Sequence, residues 1–280
     1  EEIIGAPFTS VAVAQASLPV SKGGLGLRKA TLHSCAAYLS SSVQSKTIVD
    51  RILQDLPHRR SLQEALAAFL ATSGPLTPEI KKDLSTFEPT HFTQSKLSHL
   101  IDSNLQTTLI NRAIGEKDAR TKARLQSLTL NHASDYLNSV PSHFFGLSLS
   151  RENFRFVLKY RLGLPLYAST EFACPACNKP MDSFGDHTFV CASEIERICR
   201  HNALRDAFFE QAKHAGLFPK REARSLVPDN NTRPGDVFVP IWRGRPHAFD
   251  VAVTSPLCSS NVHQAATTTG AALEKMKAAK

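Results

Sequence analysis

The sequence predicts an α+β protein, with a mainly helical region first, a zinc knuckle next and a small α/β domain last. Three observations predict this class. Apolar residues recur at helical spacing through most of residues 28–162. Three cysteines and a histidine follow within 18 residues, and two short strand-like apolar runs come after them. The predicted boundaries are 1–165, 166–200 and 201–280.

Composition indicates a folded protein with a basic surface. The chain has 280 residues, 42% of them hydrophobic, and a formal net charge of +8. This excess is compatible with a polyanionic partner, and it is equally common in proteins that are simply basic. Six cysteines, three clustered and three scattered, are too sparse for a secreted disulfide scaffold, so we expect a reducing compartment.

No apolar run approaches the roughly 20 residues of a membrane span. The chain starts with Glu1 and Glu2, without a signal peptide or Met, and we expect a fragment or a processed product.

The helical region begins after a glycine-rich stretch at 23–26, whose spacing fits no phosphate-binding loop and predicts a tight turn. Helices are predicted at 28–42, in two pieces over 45–73 divided near Pro57, and at 93–113, 117–128 and 151–162. Ser150 is the predicted N-cap of the last of these. The basic edge of the 117–128 helix, which includes Arg124, is expected to face solvent.

The cysteine–histidine cluster has the spacing C-x2-C-x9-H-x3-C, formed by Cys174, Cys177, His187 and Cys191. Two thiolates in a tight turn, with two further ligands about one helical turn apart, suit tetrahedral Zn²⁺ in a closed structural site. Cys199 or His201 is the alternative for one ligand. The competing interpretation is coincidence, with free buried cysteines and a surface histidine.

The segment after the cluster predicts one amphipathic helix over 193–216. Its apolar stripe is expected to face the core, and Cys199 is expected on the same face; the stripe consists of Ile195, Ile198, Leu204, Phe208 and Ala212. Its basic side is formed by Arg197, Arg200, His201 and Arg205.

Two acids then appear beside apolar runs, Asp236 at the start of a predicted strand over 233–240 and Asp250 inside one over 248–253. A hairpin would bring both carboxylates to one edge, where they would form a hard-oxygen site for Mg²⁺ or Mn²⁺. Glu222 is a candidate third acid. The alternative is an ordinary hairpin whose aspartates cap turns and pair with Arg233 or Arg245.

These residues carry a family resemblance. The knuckle, then Arg200-His201-Asn202, then the segments 233–236 and 249–253 resemble in order the C-terminal part of non-LTR retrotransposon polyproteins that carry a restriction-enzyme-like endonuclease. The segment 18–28 resembles the region that follows their polymerase domain. In the family pattern a proline is followed directly by an aspartate, whereas in this chain Gly235 is inserted between Pro234 and Asp236. No Asp-Asp pair occurs in the chain, so the polymerase motif and reverse transcription are excluded for it.

The resemblance implies a restriction-endonuclease-like domain that nicks target DNA with Mg²⁺ or Mn²⁺, Asp236 and Asp250 holding the cation. It implies a catalytic lysine, for which Lys277 is the first candidate, with Lys275 and Lys280 as alternatives; because the chain stops there, we expect a truncated domain. Arg200, His201 and Arg205 would contact nucleic acid or support the fold. The implied partners are DNA and the RNA of the element, and the implied location is the nucleus, or the cytoplasm as a ribonucleoprotein, without secretion. The alternatives are an inactive zinc-containing nucleic-acid-binding remnant and a helical interaction scaffold.

Overall fold

The computed structural model describes residues 3–52, 58–86, 88–168, 172–191, 193–224, 226 and 234–279. The chain divides into two compact units. The first comprises Glu1–Ser139 and Arg161–Leu164, and the second comprises Val140–Tyr160 and Pro165–Lys280. Helices predominate and a three-stranded antiparallel sheet accompanies them, which confirms the α+β class. The three-part division at 165 and 200 stays a prediction.

The first unit is helical, and a 3₁₀ turn at Val20–Lys22 follows its first helix. Its helices are α1 (Ser10–Ser17), α2 (Ala30–Ile52), α3 (His58–Ser73), α4 (Pro78–Ser85), α5 (Gln94–Gly115), α6 (Ala119–Ser127) and α7 (Asp135–Asn138). The predicted end of a helix near residue 42 is wrong, because α2 continues to Ile52. Val43 continues its buried face, and neither Gly nor Pro interrupts the segment.

The core of this unit lies where α2, α3 and α5 pack against one another. Leu97 and Ile101 of α5 are fully enclosed here. Phe69 of α3 belongs to the same cluster. The predicted division near Pro57 lies outside the described residues. A second cluster, formed by Leu18, Leu109 and Leu125, joins the glycine turn to α5 and α6.

The glycine-rich stretch is a tight turn, as predicted. Gly23 has φ +87°, in the left-handed region. A Cβ on Gly24 would lie 1.9 Å from the carbonyl oxygen of Leu18, so the turn closes only if this residue lacks a side chain.

Two arginines are buried behind this turn, which overturns the prediction that Arg124 faces solvent. Arg124 Nη1 donates to Gln15 Oε1 at 2.9 Å and to the carbonyl oxygen of Arg161. Arg161 in turn donates to the carbonyl oxygens of Val20 and Gly24, at 2.9 and 3.2 Å. Both guanidinium groups therefore supply donors to carbonyl groups that a turn and a helix end leave unpaired.

The second unit combines helices with the sheet. Its elements are α8 (Arg151–Leu162, whose last two residues belong to the first unit), α9 (Asp186–Val190), α10 (Glu194–His214), β1 (Lys220–Arg221), β2 (Val237–Trp242), β3 (Arg245–Phe249), α11 (Val262–Thr267) and α12 (Ala271–Ala278). The strands are antiparallel in the order β1-β2-β3. Ser150 caps α8 as predicted, because its Oγ accepts from the Asn153 N–H at 3.2 Å.

The predicted core face of α10 is largely wrong. Ile195 is 74% exposed, and Ile198, Leu204 and Cys199 are exposed as well. The C-terminal half carries the packing, where Ala212 is buried and the Phe208 ring lies 4.9 Å from that of Phe249 in β3. Helical spacing identifies residues that share a face, and only the fold decides whether another element covers it.

Candidate metal centre and aspartate cavity

The knuckle is a tight hairpin-like turn that presents two thiols. Ala173 and Pro180 form an isolated antiparallel bridge. The Cys174 N–H donates to the carbonyl of Lys179 at 2.8 Å, and the Asn178 N–H donates to the carbonyl of Cys174 at 2.8 Å. The turn thereby brings the first two predicted ligands close to each other, and α9 supplies His187 on its first turn.

The four predicted ligand atoms converge. Those of Cys174, Cys177, His187 and Cys191 all lie within 4.8 Å of one another. The Cys174 and Cys191 sulfurs are 3.8 Å apart, and Cys177 Sγ is 3.2 Å from His187 Nε2. A regular tetrahedron with 2.3 Å zinc–sulfur bonds has edges of about 3.8 Å. The donor set therefore fits a zinc ion. Cys199 and His201, the two alternative ligands, are not among the converging residues.

Asp182 organises the loop that carries His187, and the sequence reasoning missed it. Its carboxylate accepts from the backbone N–H groups of Phe184, Asp186 and His187, at 3.0, 2.9 and 2.7 Å. Burial by itself would raise the pKa of Asp182, but these hydrogen bonds hold the pKa below its usual value. Gly185 completes the loop with φ +74°. An aspartate three residues before a glycine was the signal available in the sequence.

The start of α10 supports the last ligand. Hydrogen bonds from the backbone and the side chain of Ser193 lower the pKa of the Cys191 thiol to about 6. Arg200 donates from Nη2 to the carbonyl of Cys191 at 2.8 Å and from Nη1 to that of Thr188 at 3.4 Å. Arg200 thus connects α10 to the segment that carries the last two ligands.

The second site begins at the end of the β2–β3 ladder. Val237 pairs with Phe249 at the end of the ladder, so Asp236 and Asp250 are the residues next to this last pair on the two strands. Both aspartates lie just outside the strands, which corrects the prediction that Asp250 stands inside one. Beyond the end of β3, the N–H of Val251 donates to Asp236 Oδ2 at 2.8 Å.

Asp236 is buried, at 1% exposure. Besides the bond from Val251, its Oδ1 lies 3.4 Å from His201 Nε2 on α10. Its own N–H donates to the carbonyl of Phe249 at 2.8 Å. These contacts fix the carboxylate against the sheet and the helix together.

A cavity of about 380 Å³ opens over the two acids. Its polar lining consists of Asp236, Asp250, Arg197, Arg200 and His201. Met276 of α12 and the backbone stretch 251–253 complete one side. The arrangement places two carboxylates beside two guanidinium groups in a single concave site, which suits a cation together with an anionic ligand.

The other predicted residues lie elsewhere in this unit. Glu222 and Arg205 pair with each other at 2.6 Å, and Arg205 also bonds Asp206 at 2.9 Å. Lys277 pairs with Glu274 at 2.7 Å, with both side chains about 70% exposed. Lys275 donates to Asn261 Oδ1 at 3.1 Å.

None of these side chains lines the cavity, and no lysine stands among the described residues that do. Lys280 lies outside the described residues.

Comparison of the chain with protein-family models, with curated proteins and with solved structures finds no match. In the described part of the chain, each helix is too short or too polar to cross a bilayer. The resemblance to retrotransposon polyproteins therefore stays a prediction, and the function is inferred from the two sites themselves.

Proposed function

We propose that this chain is a retrotransposon-derived DNA endonuclease fragment that nicks target DNA with Mg²⁺ or Mn²⁺, and that its knuckle holds a structural Zn²⁺. DNA is the main partner, with the RNA of the element as a second one, and the nucleus is the place of action. The single observation that carries the proposal is that Asp236 and Asp250, just outside the two paired strands β2 and β3, line one cavity.

The two carboxylates supply the hard oxygen ligands that Mg²⁺ prefers. A buried aspartate is costly unless it is paired, hydrogen-bonded or bound to a cation, and the Asp236 carboxylate lies beside His201 Nε2 and accepts from the Val251 N–H. A divalent ion bound there would activate water and stabilise the charge of a phosphodiester under attack.

The cations of α10 provide the complementary feature. Arg197 and Arg200 line the cavity with the acids, so a phosphate held by the guanidinium groups would lie beside the carboxylates. Arg205 differs from them, because Asp206 and Glu222 already offset its charge. We therefore place the phosphate contact at Arg197 and Arg200, and we assign Arg205 to the support of the helix.

The test is nicking of supercoiled DNA by the full chain with Mg²⁺, using wild type, Asp236→Asn and Asp250→Asn. Asp206→Asn is the charge-matched control, because Asp206 lies on α10 outside the cavity. We expect each cavity variant to lose at least about a hundredfold in rate, since removal of a charge-stabilising group costs this much in other enzymes. Absence of wild-type nicking, or equal nicking by all variants, would overturn the proposal.

A second candidate function is non-catalytic nucleic-acid binding, and the position of the lysines favours it. Met276 faces the cavity, whereas the lysines on either side of it pair elsewhere. Under this proposal, wild type binds DNA with a strong salt dependence and does not cleave it. Met276→Lys then provides a sharp test: nicking gained by this variant would show that only the lysine is missing, and an inert variant that still binds DNA would favour the binding role.

A further inference from the structure

The first unit contains a polar cavity of about 420 Å³ beside the glycine turn. Residues of the turn, Ser21, Lys22 and Arg28, form one wall. The opposite wall is the N-terminal half of α5, where Ser98 and Asp102 stand one helical turn apart. Neither of the two sites described above uses any of these residues.

The charges inside this cavity leave an excess of one positive unit. Asp102 is buried, and its Oδ2 accepts from Arg28 Nη2 at 2.8 Å, so these two charges offset each other. His33 Nε2 lies 3.4 Å from Asp102 Oδ1. Burial lowers the pKa of His33, with attraction to Asp102 opposing and repulsion from Arg28 adding to the effect. His33 is therefore neutral at pH 7.

Lys22 supplies the remaining charge. Its Nζ donates to Ser103 Oγ at 3.0 Å and to Gln106 Oε1 at 3.4 Å, both of them uncharged. Among the described residues, no carboxylate oxygen lies within ion-pair distance of this ammonium group. The cavity thus offers a cation whose charge the surrounding chain does not offset.

Ser98 adds a polar group without a partner. The residue is only 2% exposed, it lines the cavity, and its hydroxyl oxygen makes no hydrogen bond. Buried hydroxyl groups are normally hydrogen-bonded, so an orphan at a cavity wall indicates a partner that comes from outside the chain.

A second cavity of about 460 Å³, whose lining includes His91 and Lys96 as well as apolar residues, adjoins the polar one. Ser95 and His99, one turn apart on α5, line both. The apolar wall is formed by Ile80, Leu84 and Leu100. The paired cavities therefore suit a ligand with a singly or doubly negative end and a flat or apolar body, which describes a nucleotide.

We propose that this double cavity binds a nucleotide, with its phosphate group at Lys22 and Ser98 and its base against the apolar wall of α4 and α5. Lys22 supplies the opposite charge, and the Ser98 hydroxyl donates to a phosphate oxygen. A free nucleotide and a nucleotide within a strand share this chemistry. The site does not depend on nuclease activity, because it lies within the first unit and uses neither Asp236 nor Asp250.

The test is calorimetric titration of the zinc-loaded full chain with inorganic phosphate, with adenosine 5′-monophosphate and with a short single-stranded deoxyoligonucleotide. Lys22→Gln removes the charge, Ser98→Ala removes the orphan hydroxyl, and Lys81→Gln on the exposed face of α4 is the control. We expect Lys22→Gln and Ser98→Ala each to weaken phosphate and monophosphate binding about tenfold, as for a hydrogen bond to a charged group. The control is expected to bind like wild type.

Ser98→Ala also separates binding from folding. Because its hydroxyl is unpartnered, its removal is expected to leave the ligand-free melting temperature equal or higher while affinity falls. Monophosphate binding tighter than the strand would identify free nucleotides as the ligand, and the reverse would identify a strand. Absence of saturable binding by wild type, or equal binding by Lys22→Gln and wild type, would overturn the site. Equal affinity for inorganic phosphate and for the monophosphate would overturn the position of the base.

Discussion

The zinc cluster and the aspartate cavity are both in the second unit, and they differ in how their residues are assembled. The cluster takes its four ligands from 18 consecutive residues, held by a tight turn and a five-residue helix. The cavity takes its residues from α10, from the two ends of a hairpin and from α12, which are far apart in the chain. A locally encoded site can be complete in itself, whereas a site built from distant elements depends on every one of them.

The two sites also differ in how many of their predicted residues they bring together. All four zinc ligands converge, and Asp182 supports the loop behind them. The cavity holds two acids and two arginines, but the lysine that the resemblance implies is not among its described lining residues. Among the described residues, the candidate zinc cluster therefore has its full predicted donor set, whereas the cavity lacks the lysine that the proposed nuclease function would use.

The largest effect is expected when the zinc cluster is broken. Cys174→Ser should reduce bound zinc from about one ion per chain to nearly none, and should cost several kcal/mol of stability, because structural zinc contributes directly to folding free energy. Metal content and thermal unfolding measure the two effects. Cys199→Ser is the matched control, since Cys199 is exposed on α10, and it should retain both zinc and stability. Unchanged unfolding after chelation would contradict the presence of the site.

The second-largest effect on stability and zinc affinity is expected in the loop that carries His187. Asp182→Asn removes a charged acceptor from three backbone N–H groups, so we expect a loss of about 2 kcal/mol and zinc binding weakened about tenfold or more. Competition with a chromophoric chelator measures the affinity. The control is Asp50→Asn, which disrupts only an exposed pair with Lys46. Equal zinc affinity in the two variants would show that the ligands need no such support.

The aspartate cavity can be tested through stability as well as activity. At a Mg²⁺ concentration ten times its dissociation constant, binding should stabilise the wild type by about 1.4 kcal/mol. Asp250→Asn should lose this gain, because Asp250 is one of the two aspartates that line the cavity. Thermal unfolding with and without Mg²⁺ provides the measurement. Stabilisation of the variant equal to that of the wild type would place the ion elsewhere.

The smallest effect is expected at Lys277. Its pair with Glu274 is solvent-exposed, so Lys277→Gln should change the free energy of unfolding by less than about 0.5 kcal/mol. Lys275→Gln should cost more, because Lys275 bonds Asn261 and the carbonyl of Ser260. Denaturant unfolding compares the two. A hundredfold loss of nicking in Lys277→Gln alone would instead restore Lys277 to the catalytic role that the resemblance implies.

The features that depend on near neighbours in the chain were predictable from the amino-acid sequence. Helical spacing located most of the long helices. The residue types alone predicted the N-cap at Ser150 and the tight glycine turn, because both depend on local hydrogen bonds and backbone angles. The zinc ligands belong to this class, because the spacing of Cys174, Cys177, His187 and Cys191 dictates their convergence once a turn and a short helix form.

Local patterns did not predict which helix faces are covered or which distant groups meet in space. The periodicity of α10 was visible, but nothing in it revealed that Ile195 is exposed. The sequence predicted that Arg124 faces solvent, but in the structure it is buried behind the glycine turn, where it donates to a backbone carbonyl group. The strand ends at Asp236 and Asp250, the position of Met276, and the two cavities of the first unit all depend on contacts between remote segments. Such contacts follow from packing free energies spread over many residues, which no local pattern specifies.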